Sequence, residues 1–73
     1  MKPFIQQIKE IRTQNKKTQE EIGNVLGITK QQYQLYESGK REIKVNQIIT
    51  LCEYYNISPE YILGFTDEQK PLR

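Results

Sequence analysis

The stretch that decides the fold runs from Thr18 to Lys40 and reads TQEEIGNVLGITKQQYQLYESGK. Thr18 is a typical N-cap residue, and Glu21 three residues later completes a capping box, in which each side chain satisfies a free backbone N–H of the other residue. The sequence therefore predicts a helix that begins after Thr18. The apolar residues that recur at helical spacing in this segment are Ile22, Val25 and Leu26. They predict one buried stripe along the helix.

The opposite face of this first helix is polar, and we expect it to lie in water. Its members are Gln19, Glu20 and Asn24. Gly27 then ends the helix, because a residue without a Cβ enters the left-handed conformation at no steric cost and lets the chain reverse. Ile28 is placed to bury against the elements that it links, and Thr29 starts the next helix as a second N-cap.

The second helix of the stretch has an inward side and an outward side. Tyr33 and Tyr36 lie on the inward side, where aromatic residues at helical spacing predict core packing, and Ser38 followed by Gly39 ends the helix. The outward face, centred on a glutamine and a leucine, consists of Lys30, Gln31, Gln32, Gln34 and Leu35. Solubility alone does not require three glutamines and a leucine on one exposed face. The pattern is typical of a surface that reads base edges.

Several motifs of this stretch fall at a specific, ungapped spacing. They are TQEE at 18–21, a small residue at 23, the glycine at 27, an apolar residue at 28, the threonine at 29, YE at 36–37 and GKR at 39–41. In these residues the chain resembles the helix-turn-helix of the lambda-repressor-like DNA-binding proteins, also called the Cro-like or XRE-type family. Residues 8–12 and ISPEYILG at 57–64 resemble the first and last helices of that family, so the resemblance covers roughly residues 4–66.

The resemblance implies an all-α fold, a compact five-helix domain in which helices two and three form the helix-turn-helix. A chain of 73 residues has room for one domain with a small core. We expect the DNA-binding domain at residues 1–66, its helix-turn-helix motif at 19–38, and a flexible C-terminal tail at 67–73. Length also excludes a separate ligand-sensing module within these residues.

The flanking elements follow from hydrophobic spacing. The first helix is expected within residues 1–15, with Phe4, Ile8 and Ile11 on its apolar side. The fourth is expected at about residues 45–55, and its inward residues are predicted to be Val45, Ile48, Ile49, Cys52 and Tyr55, with Leu51 widening the stripe. Asn56 is a suitable left-handed stop. Ser58 followed by Pro59 predicts the start of a short fifth helix, which Gly64 closes.

Charge and cysteine content exclude several classes of function. The net charge is only +2, but the basic residues concentrate in the first segment, namely Lys2, Lys9, Arg12, Lys16 and Lys17. A phosphate-facing surface requires such a concentration, although charge alone does not exclude an ordinary solvated surface. With no histidine and one cysteine, one chain forms no disulfide, Cys/His zinc site or histidine-based triad. Cys52 is read as a small buried side chain rather than a redox sensor. No metal, cofactor or small-molecule ligand is expected, and the chain is not expected to be an enzyme.

Targeting segments are absent from the sequence as well. No apolar run approaches the roughly 20 residues that span a bilayer, and the N-terminus has no apolar signal core. We therefore expect no membrane partner and a cytoplasmic location.

The resemblance also implies residue roles. Lys30, Gln31, Gln32, Gln34 and Leu35 correspond to the base-reading face, and Gln19, Thr29, Ser38, Lys40 and Arg41 to contacts with the phosphate backbone. Arg12 is implied to pair with Glu37 and so to tie the first helix to the third, whereas the alternative leaves both side chains solvated. Lys17 replaces an apolar residue usual in the family, and Gly23 stands where alanine is usual.

The favoured function is that of a sequence-specific regulator of transcription on double-stranded DNA, a repressor that binds a palindromic operator as a homodimer. Dimer contacts are expected from Tyr61, Phe65 and Leu72. Alternatively, Tyr61 and Phe65 close the core, and for Phe65 the two interpretations are equally favoured. The alternative is a protein-interaction module of the same fold, such as an antitoxin or the partner of an anti-repressor, because fold does not fix function.

Overall fold

Five helices, α1 to α5, make up the described part of the chain, which is residues 3–73 of a computed structural model. Their bounds are α1 Phe4–Gln14, α2 Gln19–Leu26, α3 Lys30–Glu37, α4 Val45–Tyr55 and α5 Pro59–Ile62. No strand occurs within these residues, so the all-α fold class predicted from the sequence is confirmed. The expected first helix and the basic cluster also included Met1 and Lys2, which lie outside the described residues.

The helix boundaries form where the sequence places capping residues. The hydroxyl of Thr18 accepts a hydrogen bond from the N–H of Glu21 at 3.0 Å, and the Glu21 carboxylate accepts one from the N–H of Thr18 at 3.0 Å. Gly27 ends α2 in the left-handed conformation at φ 72°, and Asn56 ends α4 at φ 54°. Ser58 caps α5, because its hydroxyl accepts from the backbone N–H at the third position of that helix at 3.3 Å.

The helices pack around one small core. α2 packs against α3 and α4, while α1 crosses α3 and α5, and α5 also contacts α4. The buried apolar residues are Ile8, Ile11, Ile22, Tyr33, Tyr36, Leu51, Cys52, Ile57 and Ile62. The rings of Tyr33 and Tyr36 meet edge to face with centroids 6.3 Å apart, as aromatic pairs prefer. Both tyrosines therefore serve the core, as predicted, and this arrangement turns the polar side of α3 outward.

Gly23 marks the closest approach of α2 to the turn that follows it. A Cβ at this position would lie 3.1 Å from the carbonyl oxygen of Ile28 and 3.2 Å from that of Thr29. Both distances are shorter than ordinary carbon–oxygen contacts. The glycine at this position thus allows α2 to pack closely against the turn.

The buried face of α4 differs from the predicted one. Leu51 and Cys52 are its buried residues, whereas Val45 and Ile49, expected to point inward, are 73% and 54% exposed. The apolar residues of α4 span about 160° of its circumference at 100° per residue, and the small core covers only part of that arc. The helix is therefore rotated so that Leu51 and Cys52 are buried, while Val45 and Ile49 are exposed.

The C-terminal segment, residues 67–73, which the sequence predicts to be a flexible tail, contacts the rest of the domain. The N–H of Ser58 donates to the carbonyl of Lys70 at 2.8 Å, and the N–H of Arg73 donates to the Asn56 side-chain oxygen at 3.3 Å. Leu72 packs against the core. One leucine and these two hydrogen bonds thus connect the segment to the helical domain.

Candidate nucleic-acid interface

The outward face of α3 presents side chains that the fold itself does not use. Lys30, Gln31 and Gln34 are exposed, and Leu35 is half-buried between them and the core. Within residues 3–73, the side-chain amides of Gln31 and Gln34 form no hydrogen bond. These groups are therefore free to pair with a ligand, and together they form a polar ridge along one helix.

Gln32 and Thr29 lie at the start of the same helix and cap its N-terminus. The hydroxyl of Thr29 accepts from the N–H of Gln32 at 3.1 Å, and the amide oxygen of Gln32 accepts from the N–H of Thr29 at 3.0 Å. This second capping box was not foreseen, although glutamine at the third helical position is a known signal for it. It leaves the amide N–H₂ of Gln32 for outside contacts.

A buried ion pair joins the helices behind this ridge. The Nε of Arg12 donates to Oε2 of Glu37 at 2.6 Å, and Nη2 donates to Oε1 at 3.1 Å, so the pair is bidentate. The side chains of Arg12 and Glu37 are 11% and 4% exposed. The remaining Nη1 of Arg12 donates to the carbonyl of Lys17 at 2.7 Å, which fixes the connection between α1 and α2.

Gln19 is part of this hydrogen-bond network and is only partly exposed to solvent. Its side-chain amide donates to Oε1 of Glu37 at 3.1 Å, and the residue is half-buried. The expectation that Gln19 faces solvent alone is therefore wrong. Because Glu37 holds its amide, the first residue of α2 is oriented before any ligand arrives.

The electrostatics of the network keep both partners charged. Burial acts to raise the pKa of Glu37, but hydrogen bonds from Arg12, Tyr33 and Gln19 outweigh it and lower that pKa below its ordinary value. The hydrogen bond to Glu37 likewise raises the pKa of Arg12. Burial raises the pKa of Tyr33, which stays a neutral donor beside the carboxylate.

The loop after α3 presents further polar groups at the end of the ridge. The hydroxyl of Ser38 donates to the carbonyl of Leu35 at 3.2 Å, and the backbone N–H groups of Lys40 and Arg41 donate to the same carbonyl at 3.0 and 3.2 Å. The loop is thus held by its backbone. The side chains of Lys40 and Arg41 are exposed, so their charges remain open to an anionic partner.

A small cleft brings several of these residues together. It has a volume of about 220 Å³ and is lined by Lys9, Gln19, Gln34, Glu37 and Ser38. One base-reading candidate, Gln34, and two phosphate-binding candidates, Gln19 and Ser38, thus line the same cleft. Lys9 belongs to the basic cluster of the first segment, but the sequence assigns it no individual contact. The available signal was its position one turn before Arg12, which places both basic residues on one side of α1.

Other candidate chemistry is not found in the described part of the chain. No group of three or more cysteine or acidic side chains lies close enough there to hold a metal ion. Cys52 is buried, and burial raises the pKa of its thiol, which agrees with the core role expected for it. Within residues 3–73, none of the helices combines the length and the hydrophobicity needed to cross a lipid bilayer.

Comparison with known proteins gives consistent results. The helix-turn-helix family profile matches residues 8–62. Over 68 residues, or 93% of this chain, the sequence is 31% identical to an uncharacterized HTH-type transcriptional regulator of Bacillus subtilis, YobD, covering 61% of that protein. Over 67 residues, or 92% of the chain, it is 33% identical to a second, YqaE of the same organism, covering 58% of it.

A third relative from Bacillus subtilis is the SPbeta prophage-derived uncharacterized HTH-type transcriptional regulator YonR, 32% identical over 69 residues, which are 94% of this chain and 64% of YonR. The chain therefore spans about three fifths of the length of the curated relatives that it matches. No solved structure matches the chain significantly.

The family match covers most of the chain and includes both helices of the motif. It confirms the resemblance stated from the sequence, and it supports the expectation that the chain is not an enzyme. With the five-helix fold, the two capped helices at a left-handed glycine and the matched profile, the chain belongs to the XRE-type, lambda-repressor-like helix-turn-helix family of DNA-binding domains.

Proposed function

We propose that this chain is a sequence-specific regulator of transcription that binds double-stranded DNA through α3. The observation that carries the proposal is the outward ridge of α3, where Gln31 and Gln34 expose amides that the fold does not use. An α-helix fits the major groove, and a glutamine amide there pairs with both N6 and N7 of adenine. Gln31 takes that role, and Leu35 contacts a thymine methyl group.

The remaining base contacts come from the same face of α3. Lys30 and Gln34 flank the centre of the ridge, and Gln32 contributes its amide N–H₂. Contacts with the phosphate backbone set the register of the protein on the duplex without reading sequence. We assign these to Gln19, Thr29, Ser38, Lys40 and Arg41.

We further propose that the working unit is a homodimer on a palindromic site, with half-site centres about 34 Å apart. One recognition helix makes few base contacts and discriminates poorly against non-specific DNA, and twofold symmetry doubles these contacts. Of the three residues expected at the dimer contact, Tyr61 and Leu72 pack against the core, whereas Phe65 is 69% exposed. Val45 and Ile49 extend the exposed apolar surface.

Repression is the regulatory outcome that requires least of the protein. A dimer that occupies a site within a promoter excludes polymerase by its volume alone, so no further activating surface is needed. The relatives are named as HTH-type transcriptional regulators, which supports a role in transcription.

Salt dependence separates this proposal from a protein-interaction module of the same fold, such as an antitoxin. Several phosphate contacts cause DNA affinity to fall steeply with rising salt, whereas a module for protein partners has little DNA affinity at any salt. Selection from a randomised duplex library, followed by titration of the selected site at several salt concentrations, tests the proposal. Absence of a preferred site and of a salt slope would refute it.

The dimer is tested by stoichiometry on the selected sequence. The protein is titrated onto one half-site and onto the inverted repeat. We expect two chains on the repeat with a higher affinity per half-site than on the single half-site. Equal affinities and independent binding would contradict the dimer while leaving DNA binding intact.

A further inference from the structure

Lys9 brings a positive charge from α1 to the DNA-facing surface. Its side chain is exposed, and it lines the small cleft together with Gln19, Gln34, Glu37 and Ser38. Gln19 and Ser38 are proposed phosphate contacts, and Gln34 is a proposed base contact. The side chain of Lys9 thus lies beside two residues to which we assign contacts with the phosphate backbone.

The acidic residue in the same cleft does not repel a phosphate there. Both oxygens of Glu37 are occupied, one by Nε of Arg12 and the other by Nη2 of Arg12 and the amide of Gln19. The charges of Arg12 and Glu37 offset each other within the pair. Lys9 therefore gives this cleft its net positive charge.

Lys9 has no competing partner in the fold. Within residues 3–73, it forms no ion pair and donates no side-chain hydrogen bond to another residue. A long, exposed lysine that serves no intramolecular contact at the edge of a polar cleft is well suited to an external anion. The singly charged phosphate of a nucleotide unit matches its single charge.

We propose that Lys9 binds a backbone phosphate of duplex DNA from α1, beside Gln19 and Ser38. This inference rests on the proposed DNA-binding function. It adds the first helix to the DNA contact surface, and it makes the cleft between α1, α2 and α3 a phosphate site. Because the contact is to the backbone, it strengthens binding to every sequence alike.

The test compares two variants that remove the same charge, Lys9→Gln and Lys70→Gln, with the wild type on the selected duplex and on a randomised pool. Lys70 lies in the C-terminal segment that packs beside α5. We expect Lys9→Gln to lower the salt slope by about 1 per bound chain, so that between about 50 and 200 mM salt the wild type loses about fourfold more affinity per bound chain than the variant. Base preferences and Tm stay unchanged, and Lys9→Arg restores wild-type binding.

Lys70→Gln is expected to leave the slope at the wild-type value. Equal changes in both variants would show that Lys9 acts only through net charge, and no change in Lys9→Gln would show that it does not reach the DNA. A changed base preference would assign it to base reading instead. Each of these results overturns the inference alone, whereas a wild type without DNA affinity overturns the proposed function as well.

Discussion

At the scale of single residues, Glu37 is the point at which three helices meet. It extends from α3 and accepts hydrogen bonds from Arg12 of α1 and Gln19 of α2. Burying two charges costs desolvation energy, so the pair is not stabilising merely because it forms. Removing one partner destabilises the fold, because the other charge then stays buried without a counter-charge.

We therefore expect Arg12→Ala and Glu37→Ala each to destabilise the domain by up to about 3 kcal/mol, and the double variant to lose much less than the sum. The three variants and the wild type form a double-mutant cycle, measured by urea denaturation. Additive losses in this cycle would mean that Arg12 and Glu37 do not interact in solution.

The same carboxylate predicts how stability depends on pH. The pKa of Glu37 is lower in the folded chain than its unfolded value of about 4.3, so its contribution is complete above that value and is lost as pH falls through the folded pKa. We expect the free energy of unfolding to decline below about pH 5, and Glu37→Gln to show a shallower decline. Glu20→Gln serves as the control, because it removes an exposed carboxylate of α2 that has no hydrogen bond or ion pair within residues 3–73. Parallel curves for Glu37→Gln and wild type would contradict the assignment.

Loss of a base contact and loss of a phosphate contact are expected to change DNA binding in different ways. Gln31→Ala should cost about 1 to 3 kcal/mol on the preferred site and relax the base choice at one position. Lys40→Ala should weaken binding to all sequences alike and lower the salt slope by about 1. Binding to a randomised site library measures both effects. If Gln31→Ala loses affinity evenly, with base preferences intact, Gln31 does not read a base.

At the scale of elements, the turn between α2 and α3 leaves little space at Gly23. Alanine there gains about 1 kcal/mol of helix propensity, and this gain is offset by the Cβ contacts of 3.1 and 3.2 Å with backbone carbonyls. We expect Gly23→Ala to change the free energy of unfolding by less than about 1 kcal/mol, and Gly23→Leu to destabilise by more than about 2 kcal/mol. A stable Gly23→Leu variant, measured by thermal unfolding, would show that the helices approach less closely.

The elements that carry strong local signals could be predicted from the sequence. Thr18 and Ser58 cap helices, and Gly27 and Asn56 end them, because these residues act through their own backbone and side-chain geometry. The orientation of α4 could not be predicted, since its apolar arc is wider than the core that covers it. Which part of the arc is buried depends on neighbouring helices that local spacing does not reveal.

In the candidate site, too, local features could be predicted from the sequence and contacts between distant residues could not. The ridge of α3 follows from the spacing of Tyr33 and Tyr36, which fixes the opposite face as the exposed one. The hydrogen bond of Gln19 to Glu37 joins residues 18 positions apart, and no short motif reports it. The position of Lys9 beside the cleft likewise depends on how α1 crosses α3.

At the scale of the whole molecule, the C-terminal segment completes the domain. Leu72 is half-buried against the core. The carbonyl of Lys70 accepts a hydrogen bond from Ser58, and its side chain, 61% exposed, forms a surface ion pair with Glu68 at 3.5 Å. We expect Leu72→Ala to reduce the free energy of unfolding by about 1 kcal/mol. Lys70→Ala should change it by less than about 0.5 kcal/mol. Urea denaturation provides both values, and a Leu72→Ala variant as stable as wild type would mean that the segment is a free tail.

The contacts of Glu37 with Arg12 and Gln19 also limit which part of the helix-turn-helix can be grafted onto another protein. A graft of residues 18–40 onto another helical scaffold would import Glu37 and Gln19 but leave Arg12 behind. The acceptor would then bury an acid without its cation, unless its own helix presented a guanidinium at the same place. The smallest DNA-binding segment that can be transferred to another protein therefore includes α1, and with it Lys9.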